Sequence, residues 1–256
     1  MEKYLRVNLL NGSSFEECVP NLEPLWTIEG EDTCEIALPF DENIKNLLVS
    51  LEIPFEEKEL NIDWKNQWSS FACGEEKEGF FEIDLGKGGS LKLKPGPGFG
   101  DLSHPTTRLM LKMMVLFCDG KSCIDIGSGS GILSVAAALF GAKEVFACDI
   151  DPEAVLHTKE CVSLNQMDEK IKVFLPQDLI CTHLTNPLIL INMIEREQRE
   201  ALPPFLEKWN SPVIISSGII SADKRSYIEW IGELGFIVED SLDEEGWSAF
   251  HLVKGN

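Results

Sequence analysis

Three glycines alternate along a short polar segment between two apolar stretches of the sequence. Gly127, Gly129 and Gly131 follow the run Ser122–Ile126 and precede the run Leu133–Phe140. The apolar pattern predicts a buried strand before the glycines and a helix after them, so the glycines form the turn that joins the two. Residues without Cβ let a backbone approach a bulky ligand and adopt angles closed to other residues. The segment therefore predicts a ligand loop at the end of a strand, with an ordinary tight turn as the alternative.

The spacing of the glycines and an acidic residue before them distinguish this loop from the loops that bind dinucleotides. Those loops have the spacing G-x-G-x-x-G, which leaves free amides for a pyrophosphate. Here the spacing is G-x-G-x-G, and Asp125 lies two residues before the first glycine. An NAD-dependent enzyme is therefore disfavoured. A carboxylate at this point suits a cofactor with a positively charged amino-acid group, and we expect Asp125 to hold the ammonium group of S-adenosylmethionine, directly or through water.

Further acidic side chains follow the next two predicted strands. Asp149 lies near the end of a strand predicted at Val145–Ile150, where a carboxylate would accept hydrogen bonds from two ribose hydroxyls. Asp151 precedes a proline and is expected to cap the following helix. Asp178 follows the strand Ile171–Leu175, where it would meet the adenine amino group.

An amide side chain ends the fourth strand of the series. Asn192 follows an apolar run within the predicted strand Leu188–Met193. Ligands of open α/β sheets bind at the carboxyl ends of the strands, so Asn192 would face the reacting methyl group. Its side-chain oxygen can accept a hydrogen bond from an incoming amine without adding a charge. The alternative is an asparagine that initiates a turn.

Strands and helices alternate regularly after residue 121, which predicts an α/β domain with a parallel sheet between two layers of helices. The remaining elements of this domain are predicted as helices at Pro152–Leu164, near Glu195–Lys208 and at Asp223–Leu234, and as a strand at Val213–Ser216. Two final strands, Phe236–Asp240 and Trp247–Val253, form a hairpin around the acidic turn Asp243–Gly246. A terminal antiparallel hairpin on a Rossmann-like sheet resembles class I methyltransferases.

The preceding part of the chain predicts a smaller module. Residues 1–60 contain strands at Tyr4–Leu10 and Thr33–Leu38, a helix that begins near Ser13 and a helix at Asp41–Leu51, as in a small α+β domain. Residues 61–74 form a linker helix, and residues 75–256 form the main domain, which starts with two strands around a turn at Gly86–Gly89.

Composition restricts the partners and the compartment. The chain has 43 acidic and 22 basic side chains, a formal net charge of −21 that repels nucleic acid and attracts a basic protein. The eight cysteines form no C-x-x-C pair, so buried reduced thiols are expected rather than disulfides or a metal site. No apolar run is long enough to span a bilayer and the start lacks a signal pattern, so we expect a cytoplasmic protein and a monomer.

Further motifs carry a family resemblance that covers almost the whole chain. Besides the glycine loop, they are D-W-x-x-x-W at 63–68, the P-G-x-x-F-G run at 95–100, H-P-T-T at 104–107, D-I-D-P at 149–152 and the segment Ser217–Ile219. Together they resemble the PrmA family, which methylates the eleventh large-subunit ribosomal protein in bacteria. The resemblance implies a basic ribosomal protein as substrate, gripped by the first domain, with lysine side chains or the amino terminus as acceptors.

The same resemblance implies that Thr107, Gly127, Asp149 and Asn192 contact the cofactor. His104, in a segment expected to close over the cofactor, is a candidate to assist the transfer, with a helix cap as the alternative. Two positions depart from the family pattern. Asp101 lies where a glycine-rich F-G-T-G-x-H stretch is usual and should stiffen that loop, and Ile191 replaces the usual alanine.

Two other hypotheses remain beside the ribosomal acceptor. The altered loop is compatible with a methyltransferase of the same fold that acts on a small molecule or on another protein. A cofactor-binding module that has lost catalysis is the third possibility. The glycines, Asp149 and Asn192 are all present and argue against it.

Overall fold

The chain forms two compact units, Met1–Asp63 and Trp64–Asn256. The computed structural model describes residues 3–10, 26–29, 33–59, 75–77, 79–178, 184–209 and 212–255. The helix expected near Ser13 and the linker helix expected at 61–74 lie outside the described residues.

The described part of the first unit contains an antiparallel sheet and a helix that packs on it. The strands are β1 (Lys3–Leu10), β2 (Trp26–Glu29), β3 (Thr33–Pro39) and β4 (Phe55–Glu59), in the spatial order β2-β3-β1-β4, and the helix is α1 (Glu42–Ser50). Asp41 caps α1, since its side chain accepts from the backbone N–H groups of Asn43 at 2.7 Å and Ile44 at 3.2 Å. Alternate residues of β1 and β3 pack with the helix in a small core of Leu5, Val7, Ile36, Leu38 and Leu48.

The second unit begins with a small antiparallel sheet of β5 (Glu75–Lys77), β6 (Phe80–Asp84) and β7 (Ser90–Leu93). A 3₁₀ turn at Gly86–Gly88 joins β6 to β7, as the glycine-rich sequence predicts. Buried side chains of these two strands pack into the core of the main domain, so this sheet closes one side of it.

A seven-stranded sheet forms the centre of the second unit. Its strands, in the spatial order β10-β9-β8-β11-β12-β14-β13, are β8 (Ser122–Ile126), β9 (Glu144–Cys148), β10 (Ile171–Phe174), β11 (Leu188–Asn192), β12 (Val213–Ile220), β13 (Phe236–Glu244) and β14 (Trp247–Lys254). The first five are parallel to one another, and β14 pairs antiparallel with both β12 and β13. The predicted sheet with its terminal hairpin is thus confirmed.

Helices cover both faces of this sheet. They are α2 (Pro105–Phe117), α3 (Ile132–Leu139), α4 (Pro152–Leu164), α5 (Glu195–Ala201), α6 (Pro203–Leu206) and α7 (Lys224–Glu233). Successive residues of a strand point to opposite faces, so Leu190 joins the core beneath α2 and α3 while Ile189 and Ile191 join the core beneath α7. Strand order reverses between β8 and β11, and open sheets bind ligands at such a point.

Two of the predicted strands end four residues too early. Strand β12 continues four residues beyond Ser216 to Ile220. The acidic residues Asp243 and Glu244 belong to β13 rather than to the turn, and the hairpin turns at Glu245 and Gly246 alone, whose φ angles are +49° and +81°. Two consecutive positive φ angles are typical of the tight turn that matches the twist of a hairpin.

Three general expectations concern thiols, metals and membranes. In the described part of the chain, the side chains of Cys118, Cys123, Cys148 and Cys161 are buried, and none of the four forms a disulfide with another. Those same residues contain no cluster of side chains suited to hold a metal ion. Nor does any helix among them have the length and apolarity needed to cross a membrane.

Candidate functional site

A cleft of about 910 Å³ opens at the carboxyl ends of the parallel strands. Residues at the ends of three neighbouring strands contribute to it: Gly127 after β8, Asp149 after β9 and Asn192 at the end of β11. Gly129 and His104 also line the cleft. Five of the predicted site residues therefore come together in one place.

The glycine loop fills a space that admits no side chain. Gly127 and Gly129 have φ angles of +73° and +53°, which favour glycine. A Cβ on Gly127 would lie 2.0 Å from Cε of Met193, and a Cβ on Gly129 would lie 2.3 Å from the carbonyl oxygen of Phe99. The backbone N–H groups of Gly127 and Ser128 donate to the carbonyl of Cys148 at 2.8 and 3.0 Å, which fixes the loop against the end of β9. The two glycines form the floor of the cleft.

Gly131 has a different place from the other two glycines. It caps α3 in the left-handed conformation, with φ at +83°, and packs against Thr158 of α4. It does not line the cleft. Its contribution is to turn the chain from the loop into the helix.

The carboxylate of Asp149 is oriented by two backbone groups. Its Oδ2 accepts from the N–H of Gly129 at 3.0 Å and its Oδ1 accepts from the N–H of Asp151 at 3.0 Å. Each oxygen keeps a second lone pair for a ligand. Ile150 beside it is 85% exposed and lines the same cleft, so a flat apolar group can pack next to the carboxylate. Asp151 caps α4, as predicted, by accepting from the N–H of Glu153 at 2.9 Å.

Asp125 lies beneath the loop rather than in the cleft. It is fully buried, its Oδ2 accepts from the hydroxyl of Ser134 at 2.5 Å, and its Oδ1 has no hydrogen-bond partner. Burial raises the pKa of this carboxyl to about 7, and the nearby Asp149 adds to the rise while the bond from Ser134 opposes it. A buried oxygen without a partner is uncommon, and a water molecule or a ligand group would complete the hydrogen bonding of this carboxyl.

Thr107 has the same property at the start of α2. It is fully buried and its Oγ1 has no hydrogen-bond partner, whereas the preceding Thr106 lines the cleft. His104 caps this helix: its Nδ1 lies 2.8 Å from Oγ1 of Thr106 and accepts from the N–H of Thr106 at 3.4 Å. Burial, followed by the charge of Arg108, lowers the pKa of His104, so its ring is neutral near pH 7.

The segment Pro97–Gly100 is held directly on the glycine loop. The N–H of Ser130 donates to the carbonyl of Phe99 at 2.9 Å, and its hydroxyl donates to the carbonyl of Gly100 at 2.5 Å. From α4, the buried His157 accepts from the N–H of Gly98 at 3.1 Å through Nδ1, and its Nε2 donates to the carbonyl of Lys94 at 2.7 Å. This segment, which we call the lid, therefore contacts the glycine loop directly.

The structure shows what surrounds the two residues that depart from the family pattern. Asp101 accepts from the N–H of Ser103 at 2.9 Å and from its hydroxyl, which fixes the turn before His104 as expected of a stiffening residue. Ile191 is fully buried in the core beneath α7 and points to the opposite face of β11 from Asn192. Its size therefore does not narrow the space around the asparagine.

Several residues of the cleft were missed by sequence reasoning. Phe99 and Trp247 line it on either side of His104, at ring distances of 5.4 and 5.0 Å from the imidazole. Glu197 and Glu200 of α5 also line it, whereas the predicted Asp178 is exposed and its neighbour Gln177 lines the cleft instead. Trp247 begins the last strand, and no local spacing connects it to the glycine loop.

The sequence matches the model of a known family over residues 41–255, under the description "Ribosomal protein L11 methyltransferase (PrmA)". A ribosomal protein L11 methyltransferase of Carboxydothermus hydrogenoformans is 32% identical over 235 residues, which cover 84% of this chain and 77% of that protein. Another from Aquifex aeolicus is 32% identical, over 79% of this chain and 80% of that protein. A crystal structure of a ribosomal protein L11 methylase from Lactobacillus delbrueckii subsp. bulgaricus has a TM-score of 0.56 and 26% identity, and the match covers 64% of this chain and 84% of that one.

Proposed function

We propose a methyl acceptor for this chain. The chain belongs to the ribosomal protein L11 methyltransferase (PrmA) family and is therefore an S-adenosylmethionine-dependent methyltransferase. The acceptor is ribosomal protein L11, at lysine side chains or at the amino terminus. The observation that carries the proposal is the family match over residues 41–255, and the cleft in which Gly127, Gly129, Asp149 and Asn192 meet provides the place for the transfer. A ribosomal acceptor also makes the cytoplasm the place of the reaction.

The residues present fit the cofactor. Gly127 and Gly129 line the cleft with positive φ angles and no side chains, so their backbone can lie against the methionine part. The unpaired oxygens of Asp125 and Thr107 lie beneath the surface of the cleft, so the ammonium group of the cofactor would reach Asp125 through a water molecule. Asp149 would accept from the ribose hydroxyls and Ile150 would pack on the adenine. Asp178 would reach the adenine amino group only from the rim, because it does not line the cleft.

When bound, the cofactor supplies a methyl group on a positively charged sulfur. The transfer is an in-line displacement, so the main task of the protein is to align the acceptor nitrogen with that methyl group. Asn192 can do this because its amide oxygen accepts a hydrogen bond from an amine and leaves the nitrogen lone pair directed elsewhere. An aromatic wall in the same cleft consists of Phe99, His104 and Trp247. We infer that this wall excludes water from the place where the amine meets the methyl group.

The acceptor amine must lose a proton before it reacts. A lysine ammonium has an ordinary pKa near 10.4, and the apolar wall of the cleft lowers it by disfavouring the charged form. His104 is a weak candidate for the base, since its Nδ1 is occupied by Thr106. We assign His104 to shaping the lid, with release of the proton to solvent. Glu197 and Glu200 at the cleft attract a cationic chain.

The proposal is tested by incubating the chain with labelled S-adenosylmethionine and separated large-subunit ribosomal proteins. Label on L11 alone supports it. Label on another protein or only on small molecules would replace the acceptor while keeping the enzyme class. Retention of the cofactor without any transfer would contradict the proposal.

Deleting residues 1–60 should weaken transfer to L11 and leave cofactor affinity unchanged, because we propose that this part grips the acceptor.

Replacing Asn192 with alanine should slow methyl transfer about 10- to 100-fold, the size expected when one oriented hydrogen bond to the reacting group is lost. Asn192→Asp keeps an oxygen at the same place and should lose less. The measurement is kcat for transfer to L11 with saturating cofactor. Equal activity of the alanine variant and the wild type would remove Asn192 from the reaction.

A further inference from the structure

Gln198 is a fully buried amide next to the reacting end of the cleft. It lies on α5, where the neighbouring Glu197 and Glu200 line the cleft while its own side chain points into the protein. A buried amide has two donors and two acceptor lone pairs to satisfy, so its partners define its role.

The amide nitrogen of Gln198 holds two backbone carbonyls. Its Nε2 donates to the carbonyl of Met193 at 2.7 Å and to the carbonyl of Ser217 at 2.8 Å. The N–H of Met193 donates to the same carbonyl of Ser217 at 3.2 Å. Both backbone polar groups of Met193, the residue that follows Asn192, are therefore fixed.

The amide oxygen of Gln198 is held by two hydroxyls from the other side. Its Oε1 accepts from Tyr227 at 2.8 Å and lies 3.0 Å from the hydroxyl of Ser216; the two hydroxyl oxygens are 2.5 Å apart, so their two protons are shared among three short contacts. Burial raises the pKa of Tyr227, so its hydroxyl stays protonated and can donate. A flipped amide would direct its oxygen at two carbonyl oxygens, so the orientation is unambiguous.

The backbone of Gly218 packs closely against the carbonyl of Met193. Gly218 lines the cleft with φ at +95°, and a Cβ there would lie 2.1 Å from the carbonyl oxygen of Met193. The same carbonyl is thus fixed by Gln198 and by contact with Gly218. Small displacements at this point move Asn192, because the two residues share a peptide bond.

We propose that Gln198 is a positioning residue that sets the place of Asn192 relative to the methyl group, an inference that rests on the proposed function. Its two donors orient the end of β11, while Ser216 and Tyr227 orient Gln198 itself. Gln198 does not touch the substrate or the cofactor. Its effect on the reaction passes through the Met193 backbone.

The test compares three variants in methyl transfer to L11. Gln198→Met has a similar size and removes both donors, so kcat should fall at least about 10-fold, since misplacement of a reacting group by about 1 Å can cost 100-fold. The dissociation constant for S-adenosylmethionine should change by less than about threefold, because Gly127 and Asp149 keep their contacts. Asn165→Leu is the matched control: it removes an amide that donates to two backbone carbonyls, those of Lys92 at 2.6 Å and Cys161 at 2.7 Å, but that does not line the cleft, so it should lower Tm while leaving kcat within about twofold.

A third variant gives a signature that a purely structural role would not show. In Gln198→Glu the neutral carboxyl can donate one hydrogen bond to a carbonyl, whereas the ionised form repels both carbonyls. Burial beside these oxygens raises the pKa of such a carboxyl. The kcat of this variant relative to wild type should therefore be highest at the lowest pH tested and should fall as the pH rises.

A spectroscopic readout separates this inference from the proposed acceptor. With S-adenosylhomocysteine present, the side-chain amide signal of Asn192 in a nitrogen-15 NMR spectrum should shift or broaden in Gln198→Met and stay in place in Asn165→Leu. An unchanged Asn192 signal in Gln198→Met, or equal kcat in the two variants, would overturn the inference. If wild type transfers no methyl group to L11, the proposed acceptor fails while the Asn192 signal still decides the role of Gln198.

Discussion

Replacing Asp149 with alanine is expected to remove measurable binding of S-adenosylmethionine. The side chain would accept two ribose hydroxyls, and hydrogen bonds to a charged acceptor contribute about 1.5–3 kcal/mol each. The loss therefore corresponds to a weakening of about 100-fold or more. The free protein should also lose about 1–2 kcal/mol of stability, since the bonds from the N–H groups of Gly129 and Asp151 disappear. Calorimetric titration with the cofactor measures the first effect and thermal unfolding the second.

Asp151→Ala is the matched control for this prediction. Asp151 lies two residues further on, also lines the cleft and carries the same charge, but its side chain caps α4. Its loss should cost about 1 kcal/mol of stability and leave cofactor affinity within a few fold. If both variants lost affinity equally, the contribution of Asp149 would be general electrostatics and not hydrogen bonding to the ribose.

The residues of the cleft that could be predicted share one physical property. Gly127, Asp149 and Asn192 follow buried strands directly, and the carboxyl ends of parallel strands meet at one edge of the sheet whatever the loops do. Asp125 shows the limit of that reasoning, because its position within β8 places it beneath the loop with no surface in the cleft. The alternation of β8 gives the face to which a side chain points, but not what covers it.

Residues that reach the cleft from distant parts of the chain could not be found in this way. Phe99 approaches because Ser130 and His157 fix the backbone on either side of it, and these contacts join segments about thirty and sixty residues apart.

The strand β4 was missed for another reason. It reads Phe55-Glu56-Glu57-Lys58-Glu59 and lies at the edge of its sheet, where charged residues are tolerated.

Replacing Asp125 with asparagine is expected to change stability and cofactor binding in opposite directions as the pH rises. In the folded protein burial raises the pKa of this carboxyl to about 7, against an ordinary value of 3.8. Below about pH 4 the group is neutral in the folded and the unfolded chain and costs nothing. Between about pH 4 and 7 the unfolded chain ionises and the folded chain does not, so the wild type loses stability as the pH rises.

Asparagine keeps an oxygen to accept from Ser134 and does not ionise. The free energy of unfolding of Asp125→Asn minus that of wild type should therefore grow by a few kcal/mol from pH 4 to pH 8, since each pKa unit corresponds to about 1.4 kcal/mol. Chemical denaturation at several pH values measures this difference. A difference that is constant with pH would mean that Asp125 has an ordinary pKa in the folded protein.

The cofactor should reverse the preference between the two side chains. An ammonium group bound above Asp125 through a water molecule favours the ionised carboxylate, so binding near pH 7 should release about half a proton from the wild type and none from this site in Asp125→Asn. Loss of a buried partner charge costs about 3–5 kcal/mol, which predicts a cofactor affinity weaker by about 100-fold or more in the variant. Calorimetry in two buffers of different ionisation enthalpy counts the protons released. Unchanged affinity with the same proton release would place the ammonium group elsewhere, and the unpaired oxygen of Asp125 would then need another partner.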